Sequence, residues 1–316
     1  MKTDFAIFEE VVNDMGGKIE QFVPERNCYY INLGGKHILT HRCISIARES
    51  FISLELTRCK EMTHKLLIDR GLSSPATECF YRSTFTQKAA KEKLSKLKYP
   101  VIIKNAVGSN SLGIFPSITS ATQALQVLKR ELPTYPSLIA QEMVYGREYR
   151  VLVLGSKIIG ALEMIHPFVV GDGKSNIRTL IHLKQNGTKR RTKFDSKFTK
   201  LLKNRNVTQE TILKKGKKFY FKHNACLAEG GETKDVTNEV HPDVKKICVE
   251  ASKSVGKYLV GIDVMCEDIA SKPSKKTFSI LEINGRPDMY IHYEPTHGKT
   301  RNVIKEVIKY LVKVSK

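Results

Sequence analysis

Oxygen-bearing side chains near the C-terminal end have the spacing of a metal site. In the strand-like segment 278–284, apolar residues alternate with Glu282 and Asn284. Residues two apart on a strand point to the same side, and Asp263 in the strand-like segment 260–265 can add a third oxygen. Mg²⁺ prefers one or two carboxylates together with water and phosphate oxygens, so the three residues predict a magnesium site for a phosphate-bearing ligand. Taken alone, they are equally compatible with ordinary polar residues at strand ends.

A lysine followed by a loop of small residues is the second candidate element. Lys104 ends the apolar run 101–103, and the loop 105–113 after it contains glycines and serines. Such a lysine can place its ammonium on phosphates while backbone N–H groups of the loop close over them as a lid. The segment lacks the GxxxxGK[ST] order, which disfavours a P-loop nucleoside triphosphatase. A plain turn between two strands is the alternative.

The segment 138–150 is the third candidate element. A strand edge with free backbone groups can bind the edge of an adenine ring, and a carboxylate a few residues later, such as Glu148, can accept hydrogen bonds from both ribose hydroxyls. By itself the segment is more typical of a strand that enters a turn at Gly146.

The composition predicts a globular protein. Of its 316 residues, 41% are hydrophobic and 27% are charged, enough for one large core or two moderate ones. The apolar runs have the length of strands and are too short to span a membrane, and the first residues lack the apolar core of a signal peptide. Seven cysteines are scattered without CxxC spacing, so we expect neither a zinc site nor a disulfide framework, and a reducing, cytoplasmic environment.

The formal net charge of +21 favours anionic partners. It does not choose between nucleotides, acidic amino acids or peptides, nucleic acids and anionic lipids. Basic residues are densest within 189–218. No zinc finger, helix-turn-helix or RNA-binding aromatic signature accompanies them, so we do not expect a nucleic-acid partner.

The periodicity of apolar residues predicts an α+β arrangement without internal repeats. Predicted strands cover 28–33, 37–39, 77–81, 101–104, 138–144, 147–154, 157–165, 260–265 and 278–284. Predicted helices cover 55–70, 87–94, 119–131, 176–185, 208–215, 243–257 and 302–314. The pattern changes after two prolines, Pro133 and Pro136. We therefore expect a small N-terminal α/β segment 1–56, a first lobe 57–136 and a second lobe 137–316.

In this order, the parts resemble the ATP-grasp superfamily over roughly residues 57–312. The chain is most similar to the ATP-grasp module of cyanophycin synthetases and of the bifunctional enzymes that make glutathione. Three segments carry this similarity: 169–177 resembles that group's VVGDGKsTI, 230–242 resembles its GG-x3-DVTdevHP, and 292–299 is the third. The resemblance implies an ATP-grasp fold, in which two α+β lobes hold the nucleotide between them.

The activity that the resemblance implies is ATP-dependent ligation of a carboxylate to an amine, through an acyl-phosphate and with release of ADP. The implied cofactors are ATP and two Mg²⁺ ions, with Mn²⁺ as an alternative. The implied metal ligands are Asp263, Glu282 and Asn284, with Glu282 bridging both ions. The implied nucleotide contacts are Lys104 for phosphate, Gly108, Ser109, Ser111 and Gly113 in the lid, Gln141 opposite the adenine amino group, Glu142 and Val144 through their backbones, and Glu148 for the ribose. The resemblance also implies four candidates that would bind the γ-phosphate, the acyl-phosphate or substrate carboxylates: Arg150, Lys174, Arg286 and His292.

The chain departs from the family pattern at three places. The family's first helix opens with DK-x-x-TK, whose second lysine contacts phosphate; here His64 stands at that position and Lys65 follows, so Lys65 is the candidate. Ser111 replaces a common lid glycine. The N-x-x-PG after the metal asparagine ends in Pro287-Asp288, which predicts a different substrate-facing turn.

We expect amino acid or peptide substrates, with the positive charge attracting acidic ones. The alternative is a non-ligating ATP-binding regulatory module, or a modifying enzyme whose protein partner binds the basic segment 189–218. The identity of the acid and of the amine, the choice between single ligation and polymerisation, and a homo-oligomeric state are open at this point.

Overall fold

The structure is a computed structural model of the chain. It describes residues 4–42, 44–46, 49–108, 113–186, 192–222, 225 and 227–315.

The described residues form helices and antiparallel sheets, which confirms the predicted α+β class. The helices are α1 (Asp4–Asp14), α2 (Phe51–Arg58), α3 (Lys60–Asp69), α4 (Gln87–Leu94), α5 (Ala121–Glu131), α6 (Ile177–Lys184), α7 (Ser196–Lys203), α8 (Pro242–Val255), α9 (Tyr290–Tyr293) and α10 (Val303–Val314). The strands are β1 (Lys18–Val23), β2 (Cys28–Leu33), β3 (Lys36–His41), β4 (Ser45–Ile46), β5 (Thr77–Tyr81), β6 (Val101–Asn105), β7 (Ile114–Ile118), β8 (Ser137–Glu142), β9 (Arg147–Leu154), β10 (Lys157–Ile165), β11 (Phe168–Val170), β12 (Lys218–Tyr220), β13 (Glu232–Asp235), β14 (Leu259–Cys266) and β15 (Phe278–Asn284).

Contacts between residues divide the chain into two compact units. The first unit comprises Met1–Ala161, Val236–Glu294 and Thr300–Lys316, and the second comprises Leu162–Asp235 and Pro295–Lys299. The predicted division into 1–56, 57–136 and 137–316 stays a prediction, because compactness alone does not define a functional lobe.

The N-terminal sheet of the first unit has the order β1-β2-β3-β4. The predicted hairpin between β2 and β3 is confirmed, and Gly34 and Gly35 form its turn with φ of +60° and +73°. Both angles lie in the left-handed region that glycine adopts without a steric penalty. Apolar residues of α1 and α10 pack with this sheet in one hydrophobic cluster.

The second sheet of the first unit has the order β5-β8-β6-β7. One of its faces packs against α4 and α5 through a cluster that includes Ile103, Leu128 and Leu138. Because side chains alternate along a strand, Lys104 and Gln141 lie on the opposite face.

The third sheet of the first unit contains β9, β14 and β15, with β14 in the middle. One of its faces packs against α8 through a cluster that includes Val151, Ile262 and Ile283. The sheet therefore buries every second residue of three adjacent strands, and the residues between them point to the other face.

The second unit has a core of its own. The end of β10 pairs with β13, the two-stranded ribbon β11–β12 lies in the same unit, and helices α6 and α7 pack around Phe221 and neighbouring apolar residues. Among the described residues, no helix is long and apolar enough to cross a lipid bilayer.

Two of the predicted helices differ from the structure. The helix predicted over 208–215 is wrong: Thr211 and Gln209 accept backbone hydrogen bonds from Ile177 and Arg178, and Ile212 forms an isolated bridge. The backbone of this segment is therefore used to hold the start of α6. The helix predicted over 55–70 is interrupted at Cys59, which is extended and forms a bridge with Val107. Sequence periodicity also missed α1 and α7.

Candidate active site

A row of charged residues crosses the third sheet from β9 to β15. Arg150 is the register partner of Asp263, and Asp263 is the register partner of Glu282. Glu148 lies two residues before Arg150 and Asn284 two residues after Glu282, so both share the face of the row. The predicted trio Asp263, Glu282 and Asn284 is thus brought together on one face of adjacent strands.

A β-bulge aims this row away from the core. Asp263 pairs with Glu282, but the next residue, Val264, pairs with Ile280, so that Leu281 is an extra residue on β15. The extra residue puts Glu282 on the face of Asp263 and leaves Ile280 with Val264 in the hydrophobic cluster. Bulges of this kind re-aim side chains next to active sites.

The Asp263 carboxylate is held from two sides. Arg150 donates two hydrogen bonds to it, one from Nε to Oδ1 and one from Nη2 to Oδ2 at 3.1 Å. Asn284 donates from Nδ2 to Oδ2, also at 3.1 Å, which leaves the Asn284 Oδ1 turned away from Asp263. Gly261 leaves room for Arg150, because a Cβ there would lie 3.3 Å from the Arg150 Cδ and 2.9 Å from the Pro287 Cβ.

Lys60, which sequence reasoning did not select, connects the loop that follows Lys104 to this row. Its ammonium donates to the Gly108 carbonyl at 2.7 Å and lies 3.4 Å from the Glu282 Oε1. The backbone N–H of Lys60 donates to the Ala106 carbonyl at 2.9 Å. The signal that could have found Lys60 is its position as the first lysine of the DK-x-x-TK pattern.

Lys104 carries a buried ammonium beside the row. The residue is 9% exposed, and no described residue forms an ion pair or a hydrogen bond with its ammonium. Burial lowers the pKa of Lys104, the nearby Lys60 lowers it further, and the carboxylates of Glu282 and Asp263 oppose this. A buried ammonium without a partner is costly, so the site favours an anion next to Lys104.

The carboxylates of this face repel one another. Burial, followed by the charges of Asp263 and Glu282, raises the pKa of Glu148 to about 7. Burial also raises the pKa of Asp263, and the Glu282 charge adds to this effect although Arg150 opposes it. Burial is the main cause of both shifts and the neighbouring carboxylates add to it, so a bound cation would favour the ionised form of these groups.

This donor set fits a hard divalent cation. Two carboxylates and the free Oδ1 of Asn284 are oxygen ligands of the kind that Mg²⁺ prefers. Among the described residues, no group of three or more His, Cys, Asp or Glu side chains is arranged to hold a metal ion by itself. A cation here would therefore need further oxygens from water or a ligand.

The predicted adenine contacts lie on the second sheet. Gln141 is 2% exposed, and its Nε2 lies 2.7 Å from the His64 Nε2 and 2.9 Å from the Thr77 Oγ1. The backbone N–H of Glu142 donates to the Ala76 carbonyl, and the Glu142 Oε1 accepts from the backbone N–H of Lys98. Val144 makes no hydrogen bond with any described residue, so its backbone groups are free for a ligand.

Four other predicted residues are not brought into the row. Arg286 is exposed, and its charge contributes to lowering the pKa of His41. His292 is fully buried and packs against Gly160, where a Cβ would lie 2.6 Å from its Nδ1. Lys174 belongs to the second unit, in a turn whose backbone N–H groups bond Asp172. Lys65 is exposed at a cavity of about 430 Å³ between α3 and β5.

The lid prediction falls only in part on described residues. Gly108 has φ of +150° and Gly113 has φ of +70°, and the Gly113 carbonyl accepts from the Asn105 N–H at 3.0 Å. Ser109 and Ser111 lie outside the described residues.

The second unit contains a separate charged cluster at a cavity of about 590 Å³. Lys184 forms an ion pair with the Glu232 Oε1, and the His297 Nε2 lies 2.8 Å from the Glu232 Oε2. Each oxygen of this carboxylate therefore has its own cationic or polar partner. The ammonium groups of Lys184 and Lys218 also lie over the Phe168 ring, at 5.2 and 4.9 Å from its centroid.

Comparison with known proteins agrees with this geometry. Residues 57–188 match the family described as the RimK-like ATP-grasp domain. The chain is 24% identical over 306 residues to the glutathione biosynthesis bifunctional protein of Clostridium perfringens, covering 93% of this chain and 39% of that protein. It is 29% identical over 275 residues to the cyanophycin synthetase of Geminocystis herdmanii, covering 84% of this chain and 31% of that protein. The chain thus spans well under half the length of these curated relatives.

Solved structures show the same fold. A bifunctional glutathione synthetase from Pasteurella multocida matches with a TM-score of 0.69 and 21% identity, over 97% of this chain and 43% of that one. A D-alanine–D-alanine ligase from Bacillus anthracis, complexed with ATP, matches with a TM-score of 0.52 and 12% identity, over 84% of this chain and 69% of that one.

The fold and the row of oxygen ligands therefore agree with the resemblance to ATP-grasp proteins. Residues 57–188 match the RimK-like ATP-grasp domain, and the chain is similar in sequence to cyanophycin synthetases and to the bifunctional proteins of glutathione biosynthesis. The resemblance found in the sequence motifs is confirmed.

Proposed function

We propose that this protein is an ATP-dependent ligase that joins a carboxylate to an amine through an acyl-phosphate and releases ADP. The observation that carries the proposal is the Lys104 ammonium, unpaired among the described residues, beside the carboxylates of Asp263 and Glu282. A triphosphate with a divalent cation satisfies both at once, because its oxygens accept from Lys104 and the cation neutralises the carboxylates. The enzymes named above that share the fold and the motifs are ligases of amino acids or peptides, which supports the reaction class.

The proposed chemistry needs charge neutralisation more than a protein nucleophile. A carboxylate becomes electrophilic when one of its oxygens is converted into a leaving group, and phosphoryl transfer does this. Lys104 and Lys60 would hold phosphate oxygens, and Arg150 would keep Asp263 oriented. The backbone of Val144 and the side chain of Gln141 would hold the adenine, and Glu148 would accept from the ribose hydroxyls.

The metal ligands in this proposal are Asp263, Glu282 and Asn284. A divalent cation bound there would neutralise charge on the transferred phosphoryl group. ATP-grasp ligases use ATP with a divalent metal; two Mg²⁺ ions, Mn²⁺ as a substitute and Glu282 as the bridging ligand are part of the proposal.

The acyl-phosphate must be shielded from water, because hydrolysis would waste it. The loop that begins at Gly108 and ends at Gly113 is proposed as the lid.

Four residues remain candidates for substrate or phosphate contacts: Lys174, Arg286, His292 and Lys65. Acidic substrates, a cytoplasmic location and a homo-oligomeric state are likewise parts of the proposal.

Amine-dependent turnover tests the proposal directly. We expect ADP formation from ATP and Mg²⁺ to require both an acid and an amine from pools of amino acids and short peptides, and the product mass to equal the condensed pair. With hydroxylamine in place of the amine, a hydroxamate should form, because hydroxylamine traps acyl-phosphates. Glu282→Ala should abolish ADP formation while circular dichroism stays unchanged. ATP binding without turnover across all pools would instead support a regulatory module.

A further inference from the structure

The carboxamide of Gln141 is held by two neighbours that belong to different elements. Its Nε2 lies 2.9 Å from the Thr77 Oγ1 on β5 and 2.7 Å from the His64 Nε2 on α3. No described residue donates to its Oε1. A carboxamide has two N–H donors and one carbonyl acceptor, so the identity of the atoms around it decides which end faces a ligand.

The orientation of the Thr77 hydroxyl can be worked out from its other bond. Thr77 Oγ1 lies 2.8 Å from the Pro75 carbonyl oxygen, which can only accept. The single hydroxyl proton of Thr77 is therefore directed to Pro75. Toward Gln141, the Thr77 oxygen can act only as an acceptor, which requires the N–H end of the carboxamide.

The same reasoning applies to His64. The Gln141 Nε2 that donates to Thr77 also lies 2.7 Å from the His64 Nε2, so the His64 Nε2 must accept. The single proton of the neutral ring then sits on Nδ1 and is donated to the Ser74 Oγ, whose own proton is directed to the Ile280 carbonyl oxygen at 3.3 Å. Burial, aided by the charges of Lys104 and Lys60, lowers the pKa of His64 to about 3, so the ring is neutral and carries only this one proton.

We propose that His64 and Thr77 lock the Gln141 carboxamide with its carbonyl oxygen toward the nucleotide base, so that the site selects a 6-aminopurine over a 6-oxopurine. The inference rests on the proposed function, in which Gln141 faces the adenine amino group. His64 is then a positioning residue that acts through Gln141. Its place in the sequence, where relatives have a phosphate-binding lysine, gives it a different task in this chain.

The orientation of the Gln141 carboxamide must be fixed, because a carboxamide that can rotate does not discriminate between 6-aminopurines and 6-oxopurines. A glutamine that can turn by 180° offers an N–H to a 6-oxo group as readily as a carbonyl to a 6-amino group. In this chain both N–H groups of Gln141 donate to acceptors, the His64 Nε2 and the Thr77 Oγ1. A 180° turn of the carboxamide would bring its carbonyl oxygen against these two acceptors and remove both hydrogen bonds. A 6-oxopurine would place its O6 against the Gln141 Oε1, two acceptors without a proton between them.

Nucleotide binding tests the lock without any assumption about the acid or the amine. Calorimetry of the full chain with ATP and with inosine triphosphate, both with Mg²⁺, should give about 10- to 100-fold tighter binding of ATP. In Thr77→Val and in the double variant His64→Leu with Thr77→Val, the preference should fall toward twofold or less. Equal binding of the two nucleotides by the wild type, or an undiminished preference in the double variant, overturns the inference.

A matched control comes from a second buried glutamine. Gln185 in the second unit donates from Nε2 to the Thr192 Oγ1 at 2.9 Å. Thr192→Val removes the same kind of acceptor there and should leave the preference for ATP over inosine triphosphate unchanged. A loss of preference in Thr192→Val would show a general effect of destabilisation and would count against the lock.

The position of the His64 proton can be measured on the wild-type protein. Long-range ¹H–¹⁵N spectra of histidine-labelled protein, assigned with His64→Leu, should show a neutral ring protonated at Nδ1 at neutral pH. Protonation at Nε2 overturns the inference even if ATP is preferred. If ATP does not bind at all, the proposed function fails, whereas ATP binding without preference removes only the lock.

Discussion

The two units of this protein each contain a cluster of lysine and carboxylate side chains, and the clusters differ in how the charges are paired. In the second unit, Lys184 and His297 contact different oxygens of Glu232. In the first unit, the Lys104 ammonium has no partner among the described residues, while Asp263, Glu282 and Glu148 crowd one face of a sheet.

The pKa shifts follow this difference. Burial acts to raise the pKa of Glu232, but the hydrogen bonds from Lys184 and His297 outweigh it, so the pKa is lowered. In the first unit, burial raises the pKa of Glu148 to about 7, and the charges of Asp263 and Glu282 add to it. The Glu232 carboxylate is paired within the fold, whereas the first cluster contains an ammonium that no described residue pairs with and that can bind an anionic ligand.

The largest contrast is expected between Glu282→Gln and Glu232→Gln. Loss of the Glu282 charge should reduce the rate of ADP formation by about 1,000-fold, because the proposed cation loses a ligand. Glu232→Gln should change that rate less than about threefold, but should lower the free energy of unfolding by about 1–2 kcal/mol. Coupled ADP assays and urea denaturation measure the two effects. Equal rate losses in both variants would contradict the distinction between the clusters.

Neutral replacements of the two lysines sharpen the same comparison. Lys104→Met should weaken ATP binding by about 10- to 100-fold, because no described residue uses the ammonium and the proposed phosphate would lose it. It should not destabilise the free protein, since it removes a charge that no described residue pairs with from a residue that is 9% exposed. Lys184→Met should do the reverse, with unchanged ATP affinity and lower stability. Calorimetry and thermal unfolding of both variants check this, and a destabilised Lys104→Met would mean that the lysine has a structural partner.

Gly261→Ala probes how the first cluster is held. The added Cβ would lie 2.9 Å from the Pro287 Cβ and 3.3 Å from the Arg150 Cδ, so Pro287 and Arg150 must shift, and Arg150 is the residue that holds Asp263. We expect a loss of about 1–3 kcal/mol in stability together with reduced turnover. Gly35→Ala is a control, since a Cβ there has no atom within 4 Å and only its φ of +73° is unfavourable. It should lower stability without affecting turnover relative to folded protein.

The smallest expected effect is a difference in acid sensitivity. The pKa of His64 is about 3 in the folded protein, below its ordinary value of 6.5, so the unfolded chain binds the extra proton between these values. The contribution of His64 to the free energy of unfolding is fully present above pH 6.5 and is lost as the pH falls toward 3. At about pH 5.5 the loss is about 1 kcal/mol.

Denaturation at neutral pH and at about pH 5.5 tests this, with His64→Gln as the comparison. The variant should lose less stability on acidification than the wild type. Glu232 has a lowered pKa, so its contribution is lost only as the pH falls below its ordinary value of 4.5. Glu232→Gln should therefore keep the wild-type response between neutral pH and pH 5.5, and an unchanged response in His64→Gln would contradict the assignment.

Much of the site could be predicted from the sequence because strand alternation is local. Glu282 and Asn284 flank the buried Ile283, and the structure puts both on the face of Asp263. The helix predicted over 208–215 was wrong because its backbone bonds to residues at the start of α6, about 30 positions earlier in the chain. Lys60 was missed because its two contacts, the Gly108 carbonyl and Glu282, lie far along the chain.

The amino-acid sequence by itself determined the ATP-grasp motifs, the α+β class and the identity of the oxygen ligands, because these depend on residue type and short-range spacing. Tertiary structure alone decided which charges are paired. The bulge at Leu281, the charged surroundings of Lys104 and the hydrogen bonds around Gln141 arise where distant segments meet. Burial and long-range contacts set the charge balance of these groups, and neither can be read from spacing along the chain.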